Sequence, residues 1–436
     1  MYSKSILYFL SISSLFPLMA PYSGEITGFS FGINVYYLIN SSLLFYGLSL
    51  YARKKISLSP FSSKILFSLF LFVIWAVVSS LSLPFLFEGV SVFEPRVGLD
   101  YQARNGLGEL VWSYSNLGQA IYLCLNFNMV LASLYIFKSN EVFYPYLFRV
   151  FLHLSIVILF LTFWQFLSKI TGIYFPQEIF FSLLDRGESN QTLLGLFRIT
   201  ATMNEPSALG AVLCSLLAFN LVGVAKTRLV RFKVLSIMLA VAVFLTISST
   251  GLIVLCLMSI FIMTKKGYQI LSTKKIHLNS VLFFVFMMIF LATSYFLFRD
   301  IINIILGGSL LDKASSVSFN TRTEADLHGL RLFFETYGVG VGLGSNRPSS
   351  FIVAILSNLG FLGLFLCFFI MFFVLKSYIR LRKNDESLDY IFSAFIVYLI
   401  AKIISGPDIS SEFFWICLSG YIISCEISER DTVTCK

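Results

Sequence analysis

Four arginines carry the clearest chemical signal in this chain. Arg198, Arg322, Arg331 and Arg347 fall in polar segments between long apolar runs. A guanidinium presents a planar fork of donors that matches phosphate or carboxylate at two points, where lysine offers only a point charge. As a set they suggest an anionic ligand; the plainer alternative for each is an interfacial arginine that keeps its head in water and pairs with a nearby acid. Two proton-carrying side chains stand among them. Glu205 lies in RITATMNEPSALG, Arg198 to Gly210, where Pro206 suits the first turn of a helix and Asn204 is a candidate cap. A carboxylate at a helix N-terminus is stabilised by the helix dipole, and the same carboxylate facing a polar cavity serves as a base. His328, close in sequence to Arg322, Glu324, Asp326 and Arg331, is a candidate proton carrier, with an ordinary surface histidine as the alternative.

A third stretch, YGVGVGLGSNRPSSFIVAILSNLGFLG from Tyr337 to Gly363, alternates Gly338, Gly340, Gly342 and Gly344 before Ser345, Arg347, Ser349 and Ser350. Alternating glycines permit unusual dihedrals and close backbone approach to a bulky anionic group, and the amides opening the following helix can receive phosphate oxygens. The stretch lacks the GK[ST] ending of a nucleotide-binding P-loop. No His or Cys cluster has zinc-ligand spacing, and no DxD-like acidic pair marks the first long polar segment, so neither a metal nor any other cofactor is expected.

The elements that must hold these residues are membrane helices. Of 436 residues, 57% are hydrophobic and only 13% charged, about half the charged share of water-soluble domains. With 48 Phe and 21 Tyr besides, the chain cannot cover its surface with polar groups, which excludes a soluble enzyme. Membrane spans are helices or closed-barrel strands. Runs such as VLFFVFMMIFLATSYFLF at 281–298 lack barrel-strand alternation, so the fold class is an all-α polytopic integral membrane protein. With roughly 20 residues per span, the runs predict about 12 transmembrane helices in a single membrane domain, 1–436. They lie near 5–21, 29–51, 62–87, 116–137, 145–170, 205–224, 234–248, 250–264, 279–298, 351–375, 388–405 and 411–426. The first is read as a retained helix, and Ser248, Ser249, Thr250 and Gly251 as a tight hairpin.

Charge sets the orientation. With the N-terminus in the cytoplasm, 21 of the 32 Lys and Arg lie inside, in clusters such as Arg53-Lys54-Lys55, Lys226 to Lys233, Lys265 to Lys275 and Lys376 to Lys383. The C-terminus is then cytoplasmic too. Collapsing the hairpin at 247–251 would put the Lys376 to Lys383 cluster outside. Acids run the other way, 16 of 23 outside, so the net charge of +9 is a topology signal and no nucleic-acid partner is expected. Of ten outer bases eight are arginine, Arg96, Arg104, Arg186 and Arg299 joining the four above, against seven of 21 inside. Three outer segments, 88–115, 171–204 and 299–350, are too long for turns and are candidates to carry function. In the last, TRTEADLHGLRLFFET at 321–336 repeats Leu327, Leu330, Phe333 and Phe334 at helical spacing, predicting a short amphipathic helix on the membrane surface. The seven cysteines fall in apolar runs or the C-terminal tail and imply no disulfide framework.

Together these segments resemble the O-antigen polymerase and ligase superfamily of bacterial inner-membrane glycosyltransferases. The resemblance covers the topology of the whole chain and rests in sequence on Arg198 to Ser207, the ISSTG hairpin at 247–251, and Arg322 through Gly363. Polymerases of this family often place Gly ten or fifteen residues after an outer-loop Arg; here fifteen residues separate Arg322 from Gly338 and ten separate Arg331 from Gly342. Where the ligase branch shows His-Asn ahead of its final LGxxG-bearing span, this chain has Ser349-Ser350, which favours the polymerase.

The resemblance implies a GT-C-like fold in the bacterial inner membrane, with the three long loops in the periplasm. It implies an inverting, metal-independent transfer that joins undecaprenyl-pyrophosphate-linked oligosaccharide units into O-antigen or a related surface polysaccharide. A flippase and a chain-length regulator would share the membrane. Arg198, Arg322, Arg331 and Arg347 would hold the pyrophosphate, with Glu205 and His328 competing for the role of base. The rivals are an O-antigen ligase passing glycan to lipid A core, and a flippase or other transporter of lipid-linked oligosaccharide. A transporter would draw on polar groups inside spans, Asn126, Asn128, Gln165 and Lys402.

Overall fold

A computed structural model describes residues 2–26, 29–53, 58–93, 106–138, 144–182, 192–193, 196–227, 229–273, 317–382, 385 and 387–434. The expected span at 279–298 lies outside the described residues, as do Arg96, Arg104, Arg186 and Arg299. The described chain is mostly helical. Among the described residues five helices are long and apolar enough to cross a membrane: Pro60–Leu86, Tyr114–Phe137, Tyr146–Thr171, Pro206–Thr227 and Phe351–Leu381. Even the shortest, at 22 residues, extends about 33 Å.

In chain order the helices are α1 (Tyr2–Ser13), α2 (Val35–Arg53), α3 (Pro60–Leu86), α4 (Tyr114–Lys138), α5 (Tyr144–Thr171), the single turn α6 (Gln177–Phe180), α7 (Pro206–Thr227), α8 (Val230–Leu245) and α9 (Ser249–Thr273). After them come α10 (Val317–Glu335), α11 (Phe351–Leu381), α12 (Leu388–Ile404) and α13 (Glu412–Thr434). The expected hairpin at 247–251 is present, its turn falling at 246–248 and Ser249 already opening α9. There Gly210 of α7 and Gly251 of α9 meet so closely that a Cβ on Gly210 would stand 3.0 Å from the Gly251 Cα.

The beginning of the chain departs from expectation. No single helix fills 5–21, because α1 stops at Ser13: the Ser13 and Ser14 hydroxyls turn back onto Leu10 O and Ser11 O, and Pro17 has no N–H to continue the ladder. An antiparallel strand pair, β1 (Tyr22–Ile26) with β2 (Phe29–Ile33), follows and takes the residues expected to open the second span. Two smaller pairs lie in the long loops, β3 (Ser91–Phe93) with β4 (Leu107–Glu109), and β5 (Thr192–Leu193) with β6 (Leu196–Phe197).

α7 is the most buried of the five long helices, packed against α8, α9 and α12, while α11 leaves much of its surface exposed beside α3. Fully buried Trp415, Tyr421, Phe219 and Phe395 lie in the core. Chain direction alternates, so the last turns of α3, α5, α8 and α12 share one end with the first turns of α2, α4, α7, α9, α11 and α13. Side chains bind that end together across the sequence: Gln165 Oε1 accepts from the amides of Thr200 (2.9 Å) and Ala201 (2.7 Å), Tyr37 donates to Ser410 O (2.7 Å), and Asn116 donates to Leu343 O (2.9 Å).

α11 is interrupted at Gly360, whose φ of 65° and ψ of −164° break the helical ladder. The carbonyls released there are taken up by protein. Val341 and Gly342 amides donate to Ser357 O (2.9 Å) and Asn358 O (2.8 Å), and Trp75 Nε1 donates to Leu359 O (2.8 Å). The chain from Gly338 to Gly344 is thereby pressed into the notch of a helix, and a Cβ at Gly340 would meet the Asn358 carbonyl at 2.7 Å.

Candidate functional site

The shared end gathers most of the chemically suggestive residues, and α10 positions several of them. A helix forms over the expected stretch, but it turns a different face inward. Ala325, Gly329 and Leu332 are buried, whereas Leu327 and Phe334 are 50% and 74% exposed. Small residues win the packed face because α11 comes very close: a Cβ on Gly329 would stand 2.7 Å from a Val353 methyl. The apolar stripe read from the sequence is therefore largely an outer edge.

Arg322 stands on the packed face and meets two other elements. Its guanidinium reaches Glu205 Oε2 at 3.4 Å and donates to Ser405 Oγ, at the end of α12, also at 3.4 Å. Glu205 is the residue before α7 and its carbonyl accepts from Leu209 N (3.1 Å), so Glu205, and not Asn204, opens the helix. Ser207 Oγ donates to the same Oε2 at 3.0 Å. Arg322 Nε is buried and makes no hydrogen bond. The two side chains are 31% and 34% exposed, and an ion pair so long and so wet contributes about 1 kcal/mol or less. The arrangement is a carboxylate beside a guanidinium, each held in place and neither saturated.

The remaining predicted residues divide. His328 Nε2 lies 2.8 Å from Ser91 O, with its ring edge-on to Phe93. A carbonyl can only accept, so Nε2 carries the proton and the imidazole clips α10 to β3. Arg331 is exposed, nine positions beyond Arg322 and thus on the opposite face of α10; the structure does not bring it into the group. Arg347 is partly buried, its amide donating to Phe93 O at 3.3 Å. Arg198 is partly buried beside Ile199, whose amide donates to Leu245 O at 3.3 Å.

The glycine run departs from expectation. All four alternating glycines carry positive φ, but the backbone that Gly340, Gly342 and Gly344 approach is that of α11, α3 and α4. The amides of Ser349 and Ser350, expected to be open to phosphate, donate to Asp326 Oδ1 at 2.6 and 3.0 Å.

Two contributors carry no local signature of a site in the sequence: Asp326, one charge among several near His328, and the turn between α12 and α13. That turn supplies Ser405 to Arg322, Gly406 N to Ser349 O (3.1 Å), and Asp408 O to buried Lys402 Nζ (2.6 Å). Glu412 accepts from Asn34 Nδ2 at 2.7 Å. The sequence SGPDISSE, a polar interruption carrying Gly-Pro-Asp between two apolar runs, was the available signal. Gln165, Asn126 and Lys402, expected as span polar groups, are committed to loop backbone at this end. Among the described residues no three His, Cys, Asp or Glu side chains gather in a way that could hold a metal ion. No family model matches the chain, and no curated protein matches it either.

Proposed function

We propose that this chain is a bacterial inner-membrane glycan polymerase of the O-antigen polymerase type, working on undecaprenyl-pyrophosphate-linked oligosaccharide units. The observation that carries the reading is the unsaturated pair of Glu205 and Arg322, brought together from segments 117 residues apart. About twelve crossings, counting the run at 279–298, put both termini in the cytoplasm and this pair on the periplasmic face, because the lysine and arginine clusters belong to the other end.

The chemistry follows from the pair. A sugar pyrophosphate is already activated, so the protein must orient donor and acceptor, receive the charge developing on the leaving group and remove one proton. Glu205 takes the proton of the acceptor hydroxyl as its oxygen attacks the anomeric carbon from the face opposite the leaving group. The anomeric C–O bond breaks and its electron pair leaves with undecaprenyl pyrophosphate, whose oxygens meet the Arg322 fork in place of Glu205 and Ser405. Of the two proton carriers the geometry favours Glu205, because the Nε2 proton of His328 is committed to Ser91 O. Arg198 and Arg347 lie on the same end as further anion contacts. A flippase supplying units and a chain-length regulator are the partners this role requires.

The test is polymerisation of lipid-linked repeat units by purified protein. Wild type should build ladders of repeats, also in excess EDTA, and Glu205→Gln should leave single units. A Glu205→Gln protein that polymerises normally rejects the assignment, and transfer only onto lipid A core would make the chain a ligase.

A further inference from the structure

Asp326 is partly buried, one helical turn beyond Arg322 on α10, and does something unusual for a mid-helix carboxylate. Its Oδ1 accepts from the amides of both Ser349 and Ser350, the two residues that lead into α11. The Ser350 side chain, in the N-cap position, makes no capping bond of its own. The lead into α11 is therefore held from another helix, 23 and 24 residues upstream.

Ser349 also closes a ring. Ser349 O accepts from Gly406 N (3.1 Å), the neighbouring Ser405 offers its Oγ to Arg322 (3.4 Å), and Arg322 returns along α10 to Asp326. Three elements, α10, the start of α11 and the end of α12, are thus tied in one circuit with Arg322 and Asp326 on the same face. A slip of one residue along α10 would swing Arg322 by about 100° and about 1.5 Å away from Glu205. The Arg322 contacts at 3.4 Å are too weak to prevent it, whereas two charge-assisted bonds to backbone amides are the strong kind. We infer that Asp326 is a positioning residue, which fixes the register of α10 so that the Arg322 fork faces Glu205. This rests on the polymerase reading for its functional consequence and on geometry alone for its structural one.

Two measurements separate those layers. Hydrogen exchange on the purified full-length protein reads the docking without reference to activity. Asp326→Ala should speed exchange of the Ser349 and Ser350 amides and of α10, while Asp326→Asn, which keeps an acceptor oxygen, should stay near wild type. In the polymerisation assay Asp326→Ala should lower kcat roughly tenfold to a hundredfold with little change in KM, the size of effect that misplacing a catalytic group by about 1 Å produces. Asp326→Asn should restore most of it, and Asp326→Ala should cost little more once Arg322 is already alanine. Unchanged exchange in Asp326→Ala overturns the proposal, as does a full second loss in the Arg322→Ala background. If Glu205→Gln and Arg322→Lys leave polymerisation intact, the polymerase reading fails, and the exchange measurement still decides whether Asp326 holds α10.

Discussion

The two ends of the bundle use the same ionic vocabulary to opposite effect. At the end away from the candidate site, Asp389 accepts from Lys226 Nζ (2.9 Å), Arg382 Nε (2.9 Å) and the Tyr378 hydroxyl (2.7 Å). Glu426 and Glu429 there cap the start of α3 through the amides of Ser59 and Phe61. At the site end Glu205 and Arg322 touch only at 3.4 Å, and Arg322 Nε has no partner. A carboxylate saturated at short range by three donors from two neighbouring helices is holding helices together. One that leaves its cation underused is available to a ligand.

Mutations can break that contrast. The largest effect belongs to the open end: Glu205→Gln and Arg322→Lys should each reduce polymerisation by about 10²-fold or more, the usual contribution of a positioned base or a preorganised charge, with the amount of protein in the membrane unchanged. Parallel losses of protein and activity would move the pair into the structural class. Next comes Gly360→Ala, which puts a Cβ 2.3 Å from Gly338 O at a positive φ. It should cost more than about 3 kcal/mol and show as loss of folded protein on size-exclusion chromatography; a normal yield would mean that the notch in α11 can relax. Asp389→Ala should lower stability by about 2 kcal/mol, since the cations it leaves are partly exposed. The thermal midpoint in detergent should fall while activity per folded molecule holds, and a selective loss of activity would erase the distinction between the ends. Smallest of all is Arg331→Lys, expected to change repeat number by less than about twofold because a solvent-facing arginine tolerates lysine. Gel analysis of chain length beside Arg322→Lys reads the difference between the two faces of α10.

Much of this was legible in the sequence where a local pattern decides the structure. The apolar runs placed α3, α4, α5, α7 and α12 closely, and the run from Ser248 to Gly251 marked the α8–α9 turn to within about two residues, the turn falling at 246–248. Pro206 marked the start of α7, which put Glu205 at a helix end. Hydropathy misread 5–21 and the start of 29–51, since the residues after α1 and the FSFGI of β2 are largely apolar and only Pro17, Pro21, Glu25 and the spaced Gly24, Gly28 and Gly32 argued otherwise. The face of α10 was misread for a related reason: the pattern registers large apolar residues, but what α11 admits at close range is Ala325 and Gly329. Asp326 with Ser349, and Arg322 with Ser405, are contacts between segments far apart in the chain, and no spacing rule announces them.

The notch at Gly360 also fixes which wall of the site is rigid. In the apolar interior of a bundle a backbone carbonyl stripped of its partner costs several kcal/mol, and Ser357, Asn358 and Leu359 have theirs in Val341, Gly342 and Trp75. Pulling the 338–344 segment out of the notch would strand two of them at once, so that segment behaves as masonry. α10, which leads into that segment, is tied to its neighbours through the side chains of Arg322 and Asp326.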